Sequence, residues 1–145
     1  MKDSFIEVEP KYTVTSWKLP FEVWDRNDLR KVQILSPFSV YRKNNLKGHK
    51  HSGIDIVPLN QDKYVYVFPI ADGIVCFIRI DPPFSTVVIK HKLNDDTYLY
   101  SSYIHLKDVY VSLGQYVVQN INLGRLFTNE EAWKYNGLMI TCIWK

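Results

Sequence analysis

From Gly53 onwards the chain repeats one pattern, a short run of apolar, β-branched and aromatic residues followed by a turn signal. The runs are GIDIV, YVYVF, GIVCFIRI, STVVIKH, TYLYSSYIHL, YVV, INLGRLF and LMITCIW. Between them stand Pro58-Leu59-Asn60, Asp72-Gly73, Asp81-Pro82-Pro83, Asn94-Asp95-Asp96, Gly114 and Asn136-Gly137. Short strands punctuated in this way predict an all-β, mainly antiparallel fold, a sandwich or a barrel. The ten tyrosines, many beside Val or Ile, strengthen the prediction, because such side chains suit a half-buried pleated surface. Only Glu130–Tyr135 reads as helical, for about a turn and a half.

Residues 1–30 alternate short apolar and charged groups around Pro10 and Pro20. They read as an N-terminal extension of extended chain, with residues 31–145 forming the domain. A chain of 145 residues supports one hydrophobic core rather than two. Lys31–Leu35 (KVQIL) opens a strand, Ser36-Pro37-Phe38 ends it, and the polar stretch Arg42–Lys50 is expected to be a loop.

The charge balance narrows the partners. A formal net charge of +3 with no basic block argues against a nucleic-acid binder, which needs clustered cations to track phosphates. No stretch approaches the ~18 apolar residues of a membrane-spanning helix. The first 25 residues lack a continuous apolar core with a small-residue cleavage site, so no secretion signal is expected within them. Cys76 and Cys142 lie in the apolar runs GIVCFI and MITCIW and read as buried free thiols. With no C-x-x-C pair, cysteine-rich zinc modules are excluded.

Residues 48–58, GHKHSGIDIVP, carry the one arrangement that points to metal chemistry. If Ser52–Val57 is a strand, His51, Gly53 and Asp55 share a face. Fully extended, His51 and Asp55 stand about 13 Å apart, so both reach one ion only if the chain bends at Gly53. The missing side chain there leaves room for the ion, and imidazole nitrogen with carboxylate oxygen is a donor set that zinc accepts.

Around this motif the chain resembles the lysostaphin-type (LytM-like) zinc metallopeptidases of the M23 family. SPFSVYRKN (36–44) resembles the family's S-P-F-G-x-R lead-in, with Ser39 in place of the glycine. HSGID (51–55) is similar to its first metal motif, and YVYVFPIADGIV (64–75) to the stretch that follows. VVIKH (87–91) with YIHL (103–106) resembles its paired strand and Y-x-H-L motif. VYVSLGQYVVQNINLG (109–124) resembles a V-x-x-G-x-x-V-x-x-G-x-x-I-G segment, with Asn120 at its second glycine. The resemblance implies the duplicated-hybrid-motif-like β architecture of that family. It implies His51 and Asp55 as zinc ligands, His105 as a base for the metal-bound water, and Tyr103 beside it. A zinc-bound water has its pKa lowered to about 7, within reach of a neighbouring imidazole.

The pattern breaks at its end. The family closes its site with H-L-H after a glycine, whereas this chain reads GLMITCIWK (137–145). Met139 and Thr141 stand at the two histidine positions, and neither is a serviceable zinc donor. No histidine follows His105, and the only acids after Asp108 are Glu130 and Glu131. Two residues are candidates for a replacement ligand. His49 precedes His51 by two positions in a Lys-rich loop, where solvation is the plainer reading. His91 ends an apolar run, where hydrogen bonding at a strand end is the plainer reading.

The resemblance therefore implies a catalytically degenerate domain in which His51 and Asp55 are a partial metal site and His105 is either a vestigial base or a buried, hydrogen-bonded histidine. Zinc would be absent or weakly held. Such a domain would bind cell-wall peptidoglycan or regulate a protein partner in the cell envelope. The alternative is an active zinc endopeptidase of peptidoglycan cross-links with a non-standard third ligand. VSLGQYVVQNINLG is also similar to a run found in biotinyl and lipoyl carrier domains. Those carry a lysine flanked by methionines, and the methionines here are Met1 and Met139.

Overall fold

The alternation of inward and outward residues converts the sequence runs into strands almost one for one. A computed structural model of the chain describes residues 2–22, 25–42, 49–59, 64–135 and 142–144. In chain order the strands are β1 (Lys2–Phe5), β2 (Val32–Ser36), β3 (Tyr41–Arg42), β4 (His49–Lys50), β5 (Ile54–Pro58) and β6 (Tyr66–Val67). They continue with β7 (Gly73–Ile80), β8 (Ser85–Lys92), β9 (Tyr98–Val109), β10 (Tyr116–Val117), β11 (Gly124–Leu126) and β12 (Cys142–Trp144). One helical turn, α1 (Asn129–Ala132), precedes a short 3-10 segment, Trp133–Tyr135.

The large sheet has the order β1-β7-β8-β9-β11-β6, with β10 also pairing with β7. The pairings are antiparallel. Its centre is the meander β7-β8-β9, built from the three longest apolar runs. On β8 the residues Val87, Ile89 and His91 are buried while Val88, Lys90 and Lys92 are not, the period-two signature of a sheet with one covered face. A second sheet, β12-β5-β2, lies against the first through β12 and β9. Ile56 of β5 joins Val67, Val75, Val87, Ile89 and Leu106 of the large sheet in one apolar cluster. The fold is all-β and mainly antiparallel.

The two ends of the polar stretch 42–50, expected to be a loop, are strand residues. Arg42 pairs with His49 and Tyr41 with Lys50 across β3 and β4, while Asn44, Asn45 and Gly48 lie outside the described residues. Of the last apolar run, only 142–144 is described, so Met139 and Thr141 fall outside.

The N-terminal residues are wound into the domain. Strand β1 pairs with the outer edge of β7, Thr13 bridges to Lys92, and Phe21 bridges to Val67. Phe21 is 1% exposed and belongs to the core cluster. Replacing a fully buried aromatic by alanine removes its transfer free energy and leaves a cavity. Phe21→Ala is expected to destabilise the chain by about 3–5 kcal/mol, measured as a lower urea midpoint with an unchanged slope.

Candidate functional site

Two features bring His51 to Asp55. Strand β5 begins only at Ile54, so His51–Gly53 lie outside it and the chain turns there instead of running straight from residue 51. A bulge in β2 between Ile34 and Ser36 places Ser36 opposite Asp55, as bulges do when they re-aim one side chain of an edge strand. The backbone of His51 is held on both sides, its N–H donating to Val40 O at 2.8 Å and its carbonyl accepting from Ser39 N at 2.7 Å.

The result is a buried pair. His51 Nε2 lies 3.2 Å from Asp55 Oδ1, with side-chain exposures of 5% and 13%. The other ring nitrogen, Nδ1, lies 3.1 Å from Pro37 O and 3.1 Å from Ser36 Oγ. A carbonyl only accepts, so Nδ1 donates to Pro37 O, and Nε2 is the ring nitrogen turned toward the carboxylate.

The geometry fits half of a zinc site. Donors about 2.0–2.1 Å from a tetrahedral zinc stand about 3.3 Å apart, close to the 3.2 Å observed. A zinc enzyme needs three protein ligands, and among the described residues no group of three His, Cys, Asp or Glu side chains comes together. Position 143, directly across from Asp55 in the β5–β12 pairing, is Ile143, and isoleucine carries no donor atom. The described residues therefore do not complete a zinc centre, and no hydrolytic step can be derived through one.

His105 sits at the irregularity of β9, where the β8–β9 register shifts, and takes φ +67°. Its Nδ1 lies 3.0 Å from Pro83 O and its ring centroid 5.5 Å from that of Phe84. Tyr103, two residues earlier, is fully buried and turned into the core. Strand β4 carries the backbone of His49, whose side chain lies outside the described part.

His91 is fully buried and uses both ring nitrogens in the large sheet. Nδ1 is 2.8 Å from Asp72 O and Nε2 is 2.7 Å from Ser101 Oγ. Ser101 Oγ is 2.9 Å from Tyr103 Oη, which accepts from Ile70 N at 2.9 Å. Because Nδ1 must donate to the carbonyl, the neutral ring accepts at Nε2, and the chain of hydroxyls is satisfied with Ser101 donating to it. Burial pushes the His91 imidazole below its ordinary value, against the opposing pull of the Asp72 carbonyl. Ser101, the middle of this chain, was not singled out by motif. Its signal is the alternation of β9, which puts residues 101 and 103 on the face toward the core.

The sequence matches no family model and no curated protein. Among solved structures, the chain is similar to one in the crystal structure of the SpoIIIAH and SpoIIQ complex, with a TM-score of 0.57 and 18% identity. The likeness covers 92% of this chain and 90% of that one. At this identity what is shared is the fold.

Ser39 has φ +65°, a conformation that costs a non-glycine residue about 1–2 kcal/mol. It is the position at which the resembled lead-in carries glycine. Ser39→Gly is expected to raise stability by roughly 0.5–1 kcal/mol, read from the urea midpoint. For His91 the lowered folded-state pKa means that the unfolded chain takes up its proton first as pH falls. Stability is complete above the unfolded value of 6.5 and declines as pH drops from there toward the folded value. The fall in thermal midpoint across that window should be smaller in His91→Gln than in the parent chain.

Proposed function

We propose that this chain is a lysostaphin-type domain that has lost peptide hydrolysis and serves in the cell envelope as a binding domain for a protein partner. The observation that carries this reading is the two-donor site. His51 and Asp55 are buried at ligand-like separation, Ile143 faces Asp55 across the sheet, and the sequence after His105 holds no histidine. The fold likeness to a chain from a complex of two proteins supports partner binding over catalysis. Peptidoglycan is the other ligand this reading allows, since exposed aromatic side chains such as Tyr41 and Phe38 suit sugar and peptide contacts.

In this reading the His51–Asp55 pair is structural. It joins the turn after β4 to β5, with Nδ1 reaching back to the end of β2, so that two strands of the small sheet and the turn leading into it meet at one buried point. The second reading, an active zinc endopeptidase, is favoured by the tetrahedral-edge separation alone.

Zinc content per chain after loading and gel filtration separates the two, with His51→Ala alongside and hydrolysis of cross-linked cell-wall peptides assayed on the same samples. The proposed function expects less than about 0.1 zinc per chain, given the tight binding typical of a complete site, and no released peptide. Zinc near one per chain, lost in His51→Ala and accompanied by peptide release, would overturn it in favour of the peptidase.

A further inference from the structure

The N-terminal segment leaves a groove open where it crosses the end of the large sheet. Its volume is about 490 Å³, and its walls include Trp17, Leu19, Pro20, Leu29, Ile70 and Leu99. Trp17 and Leu29 are 46% and 74% exposed, so the apolar lining faces solvent. Trp17 also packs on His91 in a T-shaped contact, with centroids 5.8 Å apart.

Two cations border this apolar surface. Arg26 gives its guanidinium to three carbonyls, those of Leu19, Pro69 and Gln119. Its guanidinium also lies over the Phe68 ring, 5.3 Å from the centroid, and burial lowers its pKa against the opposing pulls of Tyr103 and Glu22. Lys18 also lines the groove. Among the described residues neither cation has a carboxylate within ion-pair distance. An apolar groove with the Lys18 ammonium at its wall complements a ligand that joins an apolar group to an anion.

The shape narrows the class of ligand. A second cavity of about 350 Å³ shares Trp17 and is lined by Val14, Leu93, Asn94 and Asp95. A ligand running past Trp17 therefore meets a second apolar wall, Val14 and Leu93, with the polar groups of Asn94 and Asp95 beside it. An extended peptide matches this mixed lining, since it presents polar backbone and alternating side chains to both cavities.

We propose that this groove docks an extended segment of a protein partner, seating an apolar side chain against Trp17 and Leu29 and directing an adjacent carboxylate toward Lys18 and Arg26. The proposal rests on the partner-binding reading above and names the surface and the chemistry of its partner.

The test is selection of short random peptides displayed on phage against the full chain, and in parallel against Leu29→Glu and Lys18→Glu. Both positions lie on the groove's open side, and circular dichroism melting should show both variants folded as the parent is. Enriched peptides are expected to pair an aliphatic or aromatic residue with Asp or Glu. A fluorescein-labelled copy of the enriched peptide should lose roughly tenfold or more in affinity on either variant, the scale of one anchor contact or charge pair. Exchanging the acid of the peptide for lysine should restore binding to Lys18→Glu. No enrichment on the parent chain, or enriched peptides indifferent to both substitutions, would overturn the proposal. So would binding of phosphatidylglycerol vesicles that Leu29→Glu abolishes where no peptide is selected. Failure of the functional reading shows separately, as bound zinc and released cell-wall peptide. Absence of a selected peptide in a zinc-free, inactive chain removes the groove alone.

Discussion

The large sheet is organised around a buried polar chain that its apolar surroundings oblige to be complete. Asp72 O, His91, Ser101, Tyr103 and the N–H of Ile70 form one hydrogen-bonded run. Each buried polar group left without a partner would cost about 1–3 kcal/mol. The segment 70–72 is thereby fixed across β8 and β9, and other elements attach to it. Lys18 N and Gln119 Nε2 both donate to Ile70 O, and Gln119 N donates to the Asp72 side chain. The N-terminal segment thus belongs to the same construction as the sheet, with Trp17 packed on His91 and Phe21 on Val67.

The small sheet solves a different problem. Its buried charged group is Asp55, placed beside a histidine whose other nitrogen is anchored to the Pro37 carbonyl. That arrangement orients Nε2 as second-sphere hydrogen bonds orient metal-binding imidazoles, yet β12 brings Ile143 to the facing position. In the proposed reading the pair keeps the scaffold of a metal site, and among the described residues it has no third donor. Elsewhere the structure invests its charges in holding surface elements together. Arg125 grips Glu131 through two hydrogen bonds and holds its carboxyl down to about 2. Glu131 in turn closes the capping box with Thr128 at the start of α1.

Much of the fold was legible because its signals are local. GIVCFIRI became β7 without a residue's difference, and STVVIKH and TYLYSSYIHL became β8 and β9 with small extensions. The helical reading of Glu130–Tyr135 corresponds to α1 and the 3-10 segment after it. YVYVF and INLGRLF shortened to β6 and β11, because how far a strand continues depends on the length of its neighbour rather than on its own propensity. The pairing of His51 with Asp55 was legible from H-x-G-x-D and the need for a bend at Gly53. Ser36 was not, since it reaches the site through a bulge whose position depends on the register of β2 against β5.

The sequence by itself determined that the chain is all-β, that it is built of short antiparallel strands, and that no histidine in its last strand can complete a metal site. Those properties follow from side-chain chemistry and period-two alternation, which act within a few residues. Tertiary structure alone decided that the hydrogen-bond partners of His91 are Asp72 and Ser101, that His105 occupies a strained bulge, and that Ile143 stands across from Asp55. It also decided that Arg26 and Lys18 border an apolar groove. Each of these depends on which distant segments lie side by side, and that is set by strand register and by the burial of groups that must find their partners across the core.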